Sequence, residues 1–501
     1  MKLKNVIRRS DMLRCMLCDA PVCDNVCPHH LQPARILRSL YFANEDAAAA
    51  GLPAELPCTN CTAPCENACL RPHEVPIKKL LSRLKAEVVP CLDIPLPTNE
   101  DKLKTDLCGI PLENPFLLSS SVVASTYDMC ARAFEAGWAG AAFKTICNFP
   151  IHEASPRFSA IKGSDGGIIG FKNIEQLSDH SVPENMSIFR QLKKKYPTKF
   201  ILASIMGQNE HEWGELAHTC QENGADAIEL NFSCPNMMED GLGSDIGQIP
   251  ELVERFTAAA KKSCTIPVLA KLTPNVGTMS PAAEAALRGG ADGLAVINTI
   301  KSIMGINPHT YVSSPAVRGN SAVGGYSGNA VKPIALRFIA ELAKNPKLKN
   351  LHISGMGGIE TWQDGLEFLL LGAGSLQVTT AVMQYGYRII DDLKAGLNYY
   401  LHEKGFASVK DLTGLALPSV SDTTDVLERD SILFPRFDYT SCLGCGRCVI
   451  SCADGGHQAI RLNEKRQPVL DGKKCVGCHL CRLVCPTQSI QTVRKRIIRK
   501  K

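Results

Sequence analysis

Residues 227–234 read AIELNFSC, with Pro235 next. The stretch begins as a buried strand and then turns polar, so Asn231, Ser233 and Cys234 present an amide, a hydroxyl and a thiol where Pro235 halts the ladder. Seven similar runs flank it: FLLSSS (116–121), AAFKTI (141–146), FILASIMG (200–207), VLAKLTP (268–274), GLAVINT (293–299), HISGMGG (352–358) and LQVTT (376–380). Helical patterns such as MCARAFEAGW, HEWGELAHTCQENG and PAAEAALRGG lie between them. Eight strand–helix repeats predict an α/β fold, a closed (β/α)8 barrel of parallel strands. An open doubly wound sheet is the runner-up, but it seldom needs eight units.

Such a barrel assembles its site at the C-terminal ends of the strands, which is where polar groups collect here. Lys144 and Lys271, from strands two and five, are costly inside a barrel unless they neutralise something bound. Gly357 and Gly358, then Thr379 and Thr380, fall at the phosphate-binding loops after strands seven and eight. FMN is the economical occupant, because a lysine beside its ring stabilises the reduced, negative form. Ser119, Ser120, Thr145, Ser327 and Gly328 complete the expected cofactor set. The bland alternative is a structural barrel with snorkelling lysines. No G-x-G-x-x-G follows a strand, so NAD and FAD are not expected on this chain.

The 501 residues exceed one core, and the net charge of +5 gives no reason to expect nucleic acid or a membrane as partner. There is no run of eighteen apolar residues, and MKLKNVIRRSDMLRC lacks a signal peptide's apolar core, so a soluble, cytoplasmic protein is expected. Cysteine carries more information. Of 23 copies, eight lie from Cys15 to Cys69 and eight from Cys442 to Cys485. That distribution predicts an α-helical iron–sulfur domain at 1–97, the barrel at 98–410, a linker at 411–434 and a two-cluster ferredoxin-like domain at 435–501.

At the C-terminus, CLGCGRCVISC and CVGCHLCRLVCP each read C-x2-C-x2-C-x3-C. In this pattern the fourth cysteine of each run ligates the other cluster. Cys442, Cys445, Cys448 and Cys485 then hold one [4Fe–4S] centre, and Cys475, Cys478, Cys481 and Cys452 the other. A zinc ribbon would use paired rather than triple cysteines. The tail VRKRIIRKK reads as a solvated end, with a docking patch for an acidic partner as the alternative. The N-terminal runs, Cys15, Cys18, Cys23, Cys27 and Cys58, Cys61, Cys65, Cys69, are joined by the helical pattern ARILRSLYFANEDAAAAG. Eight thiols suffice for two further clusters, making four in all, and zinc stays open here because the spacing is less diagnostic.

Longer strings carry a family resemblance: NPFLLSSS, FKTI, LNFSCP, LAKLTPN, NTIKSIMGI, YSGNAVKPIALR, SGMGGIETW and LQVTTAVMQYGYRI. From about residue 105 onward the chain resembles the pyrimidine-reducing half of dihydropyrimidine dehydrogenases. It is closest to the catalytic subunit of the bacterial NAD-dependent enzymes, whose barrel is of the dihydroorotate dehydrogenase type. The N-terminal cysteines resemble the helical iron–sulfur domain of dihydropyrimidine dehydrogenases and of the glutamate synthase small subunit. That likeness implies one cluster on Cys15, Cys18, Cys23 and Cys69 and another on Cys27, Cys61 and Cys65. The animal enzymes complete the second with a glutamine. The matching place near Arg83 has none, and Cys58 is the substitute.

The resemblance further implies that Cys234 is the general acid and that Asn173, Glu175, Asn231, Ser233, Asn298 and Thr299 hold a pyrimidine. Reduced FMN would pass a hydride to one ring carbon while Cys234 protonates its neighbour, interconverting uracil or thymine and their 5,6-dihydro forms. Gly241, Gly243 and Gly247 read as hinges of a lid carrying Cys234. The FAD- and NAD(P)-binding domain of the animal enzymes is missing here, so electrons are expected from a separate flavoprotein subunit or a ferredoxin, and a homodimer or hetero-oligomer is expected. Two rivals stand beside this reading. One is a flavin barrel acting on another small cyclic substrate, such as a dihydroorotate-like acid; the other is a non-catalytic electron-relay subunit.

Overall fold

The computed structural model describes residues 14–71, 75–89, 95–163, 167–237 and 243–495. The chain divides into two compact units, residues 1–420 and 421–501. The first contains a closed barrel of eight parallel strands: β1 (Phe116–Leu118), β2 (Gly140–Ala142), β3 (Phe200–Ile205), β4 (Ala227–Asn231), β5 (Val268–Lys271), β6 (Gly293–Val296), β7 (His352–Met356) and β8 (Ser375–Val378). Strands pair in sequence order, and β8 closes the barrel on β1. Nearly every strand residue is buried, because one side faces the barrel interior and the other the helices.

An outer helix follows each strand: α1 (Tyr127–Ala136), α2 (Val182–Lys195), α3 (Glu210–Glu222), α4 (Pro250–Ser263), α5 (Ser280–Arg288), α6 (Lys332–Lys344), α7 (Trp362–Leu370) and, after a short extra helix at Thr380–Tyr385, α8 (Ile389–Glu403). Local chemistry sets their ends. Ser181 and Glu184 form a reciprocal capping box at the start of α2, and Gly137, at φ +110°, closes α1. A hairpin of Thr105–Leu107 and Ile110–Leu112 seals the N-terminal end of the barrel, burying Leu107 and Leu112 with Leu117, Phe200 and Leu269.

The predicted strands overran their C-terminal ends: the run to Ser121 stops at Leu118, and the run to Cys234 stops at Asn231. Over that end lies a four-stranded antiparallel sheet that the periodicity did not reveal. Its order is Ile300–Ser302, Gly324–Ser327, Ile168–Asn173 and Phe158–Lys162, drawn from the loops after β2 and β6.

The N-terminal cysteine module is helical, with a core of Ile36, Leu37, Leu80, Leu81 and Leu84. The single helical stretch expected between its cysteine runs is two helices, Pro33–Tyr41 and Glu45–Ala50. Ala43 takes a left-handed φ of +56°, and Asn44 caps the second helix through the Ala47 N–H. The module is packed onto the barrel. Phe42 joins the barrel's core, Arg38 Nε donates to Asp392 Oδ2 (2.9 Å), and Trp362 Nε1 donates to the Ala43 carbonyl (3.0 Å). Within residues 411–434, Leu412 is buried in the barrel core and Ile432 already begins a strand.

The second unit pairs Ile432–Phe437 with Ile490–Lys495 and Ile460–Leu462 with Pro468–Leu470, with helices Arg447–Gly455 and Leu480–Leu483 after the cysteine loops. Residues 496–501 of the basic tail lie outside the described residues. Among the described residues, no helix is long and apolar enough to cross a membrane.

Candidate active site

A cavity of about 1140 Å³ opens at the C-terminal end of the barrel. The residues expected at a cofactor all line it: Ser119 and Ser120 beyond β1, Lys144 and Thr145 beyond β2, and Lys271 at the tip of β5. Ser327 and Gly328 reach it from the mouth sheet, Gly357 and Gly358 from beyond β7, and Thr379 and Thr380 from beyond β8. Gly358 sits at φ +88°, and a Cβ there would lie 2.9 Å from the Gly328 carbonyl oxygen. Thr380 Oγ1 donates to Ser327 Oγ (3.0 Å), and Ser121 Oγ and Thr379 Oγ1 are 3.1 Å apart, fixing hydroxyls beside that cradle.

Of the residues expected at a substrate, Asn173, Glu175, Asn231, Cys234, Asn298 and Thr299 line the cavity. Ser233 does not. It is fully buried, donating from Oγ to Asn231 Oδ1 (2.8 Å) and accepting from Asn298 Nδ2 (2.9 Å). The parity of the turn after β4 aims Cys234 inward and Ser233 behind the two amides it orients. Asn236, not singled out from sequence, donates from Nδ2 to Asn173 Oδ1 (3.1 Å) and to the Glu175 carbonyl (2.7 Å). It thereby ties the Cys234 turn to the mouth sheet.

Cys234 is buried, and burial pushes its thiol up to about 11, against the opposing Asn236 N–H. Gly243 and Gly247 act as close-approach points, since their Cβ atoms would lie 2.3 Å from the Cys234 carbonyl oxygen and 2.1 Å from that of Phe232. Gly241 lies outside the described residues.

Neither lysine waits unpaired for a ligand. Lys271 Nζ donates to Glu229 Oε1 (3.1 Å), and Lys144 Nζ donates to Glu153 Oε1 (3.2 Å) and lies 3.6 Å from Glu175 Oε1. Arg157 adds a second cation 3.1 Å from Glu175. Burial raises the Glu175 carboxyl above its usual range, against the pull of Lys144 and Arg157. Glu153 and Arg157 escaped sequence reading because they sit on the β2–α2 loop with no periodic pattern.

Residues 102–401 match the family model described as dihydroorotate dehydrogenase. The chain belongs to that family. Residues 436–492 match a 4Fe-4S dicluster domain. The chain is 53% identical over 363 residues, 72% of it and 88% of the relative, to the NAD-dependent dihydropyrimidine dehydrogenase subunit PreA of Escherichia coli. It is 36% identical over 66% of its length, and 80% of the relative, to the chloroplastic dihydropyrimidine dehydrogenase (NADP(+)) of Arabidopsis thaliana. The crystal structure of an Eimeria tenella DHODH in complex with ferulenol shares the fold, with a TM-score of 0.53 at 18% identity over 64% of this chain and 91% of that one.

Members of the family are FMN-dependent oxidoreductases acting on CH–CH bonds, and the cavity fits that cofactor. The glycine cradle leaves backbone room for a phosphate. Gln377 Oε1 is a buried acceptor without a partner on the cavity wall, suited to a ring N–H.

The cysteines gather in quartets. A cavity of about 340 Å³ is lined by Cys27, Cys58, Cys61 and Cys65, and one of about 360 Å³ by Cys442, Cys445, Cys448 and Cys485. Burial raises the Cys15 thiol, with Cys18 and Cys69 close enough to add to the effect, and Cys23 feels Cys15 in the same way. Cys475 and Cys481 sense Cys478 and Cys452 likewise. Among the described residues, no three His, Cys, Asp or Glu side chains converge on a single-ion site. Each of these two linings supplies the four thiolates that a four-iron cube uses.

Proposed function

We propose that this chain is a dihydropyrimidine dehydrogenase-type flavoenzyme that interconverts uracil or thymine and their 5,6-dihydro forms. The observation that carries the reading is the cavity itself. Asn173, Glu175, Asn231, Asn298 and Thr299 line it together with a thiol, Cys234. A pyrimidine edge alternates carbonyl acceptors with N–H donors, and amides plus a carboxylate match both kinds. A site bonding every edge atom rejects analogues lacking one, by ~10⁴-fold in favourable cases.

FMN bound over the glycine cradle supplies hydride chemistry at one ring carbon. Cys234, neutral at pH 7 because burial holds its thiol high, donates a proton to the neighbouring carbon; in reverse its thiolate is the base. Asn236 and Ser233 hold the acid's turn and the amides in place. Lys144 and Lys271 line the wall for the ring's developing negative charge.

Four [4Fe–4S] centres, where bound, would supply one-electron relay toward the flavin. Their ligands are Cys15, Cys18, Cys23 and Cys69; Cys27, Cys58, Cys61 and Cys65; and the two swapped C-terminal quartets. The pocket lined by Cys58 supports the second quartet. The donor is a separate flavoprotein subunit or ferredoxin.

The test is anaerobic. Dithionite-reduced protein, freed of excess reductant, should be reoxidised stoichiometrically by uracil or thymine with dihydropyrimidine formed. Cys234→Ala should slow this by about 10²–10⁴-fold. A flavin that stays reduced with both pyrimidines sinks the proposal. The second check is pH. Dihydrouracil oxidation needs the thiolate, so its rate should climb about tenfold per pH unit from pH 7 toward the Cys234 value near 11, and Cys234→Ala should abolish the climb.

A further inference from the structure

Barrels of this class fill their interior mainly with branched apolar side chains. Here a polar column runs through it. Lys271 Nζ donates to Glu229 Oε1 (3.1 Å), and Gln377 Nε2 donates to Glu229 Oε2 (3.2 Å) and to Ser354 Oγ (3.1 Å). Ser375 Oγ donates to Ser354 Oγ (2.9 Å), and His352 Nε2 lies 2.8 Å from Ser375 Oγ. Glu229 is fully buried, and Gln377 and Lys271 nearly so.

Stability does not explain the column. Taking an ion pair out of water costs several kcal/mol per ion, and apolar residues of equal volume often serve as well or better. Nor is it a proton path, because the Gln377 amide donates in both directions and has no proton to hand on. What the column does hold is the position and charge of one group at its upper end. Lys271 faces the cavity, and Glu229 sits against its ammonium where little water screens either.

Resting on the reading that FMN occupies the cavity, we propose that Glu229, braced by Gln377, is a positioning residue that sets how much of the Lys271 charge reaches the flavin ring. It thereby sets the ring's affinity for electrons. The oxidised ring takes two electrons from iron–sulfur donors and one proton from solvent to become the anionic reduced ring. An unopposed Lys271 favours that anion, and Glu229 tempers the bias.

The experiment uses the full-length holoprotein and no pyrimidine. Glu229→Gln keeps the shape and removes the charge. The midpoint potential of bound FMN should move to more positive values. The ratio of the FMN dissociation constants, oxidised over reduced, should rise roughly tenfold or more, the scale on which one neighbouring charge biases a group's two charge states. Glu229→Asp keeps the charge but draws it back from the Lys271 ammonium, and should shift both quantities in the same direction by less. Glu229→Gln protein that keeps FMN at an unchanged potential overturns the inference. So does equal weakening of both flavin forms, which marks a purely structural role. If Glu229→Gln does not accumulate folded, an unchanged potential in Glu229→Asp decides against it alone. Wild-type protein that binds FMN but ignores uracil breaks the functional reading and leaves this inference standing.

Discussion

At the N-terminus eight cysteines lie in and between short helical turns, backed by longer helices with an apolar core of their own, Ile36, Leu37, Leu80 and Leu81 among them, and Phe42 continues into the barrel core. At the C-terminus eight cysteines sit on tight loops and on the two helices Arg447–Gly455 and Leu480–Leu483, which carry Cys448, Cys452 and Cys481. Half of that unit's buried cluster is cysteine: Cys448, Cys452 and Cys481 beside Ala459, Ile460 and Ile490. The first module borrows a neighbour's core, whereas the second has little but its ligands to fold around. Equal numbers of cysteines thus imply unequal dependence on iron.

The largest expected effect breaks or confirms that contrast directly. Stripping the iron with a chelator under reducing conditions should unfold residues 421–501 by removing several kcal/mol of ligation, while the helical N-terminal module stays folded. Hydrogen exchange resolved along the chain reads this, and equal loss of protection at both ends would erase the contrast. Next comes Phe42→Ala. Phe42 is 2% exposed, so the cost should be about 3–5 kcal/mol, borne by the barrel's thermal transition as well as the module's. A barrel transition that does not move would show that the two are merely adjacent. The smallest effect is Asp392→Asn, which weakens the acceptor for Arg38 Nε and Ser39 Oγ (2.6 Å). About 2 kcal/mol should be lost from the same shared transition, with the C-terminal unit untouched.

The strands were legible because a barrel strand is apolar on both sides, which leaves a continuous run such as FILASI. The ends were less so. Sequence marks where polarity begins but not where the ladder stops, and Ser119 and Phe232 fell inside predicted strands although the ladders stop at Leu118 and Asn231. The mouth sheet was invisible for a different reason. Its strands come from two loops more than a hundred residues apart, and only four of their eighteen residues are buried, so no local period announces them. Ser233 shows the finest limit. Residue type suggested a ring contact, but one step of turn parity placed it behind Asn231 and Asn298. Glu229 reads from the sequence as an acid in an apolar strand, and only the fold brings Gln377 from β8 to its other oxygen.

Asn173 and Gly325 are register partners in the mouth sheet, so the Asn173 edge of the cavity and the loop bearing Ser327 and Gly328 share one ladder. That ladder is an appendage, built wholly outside the eight closing strands. Editing these two insertions can therefore reshape one wall of the cavity while the barrel's own hydrogen bonds remain untouched. That wall and the closure of the barrel are carried by separate parts of the chain and can drift at separate rates.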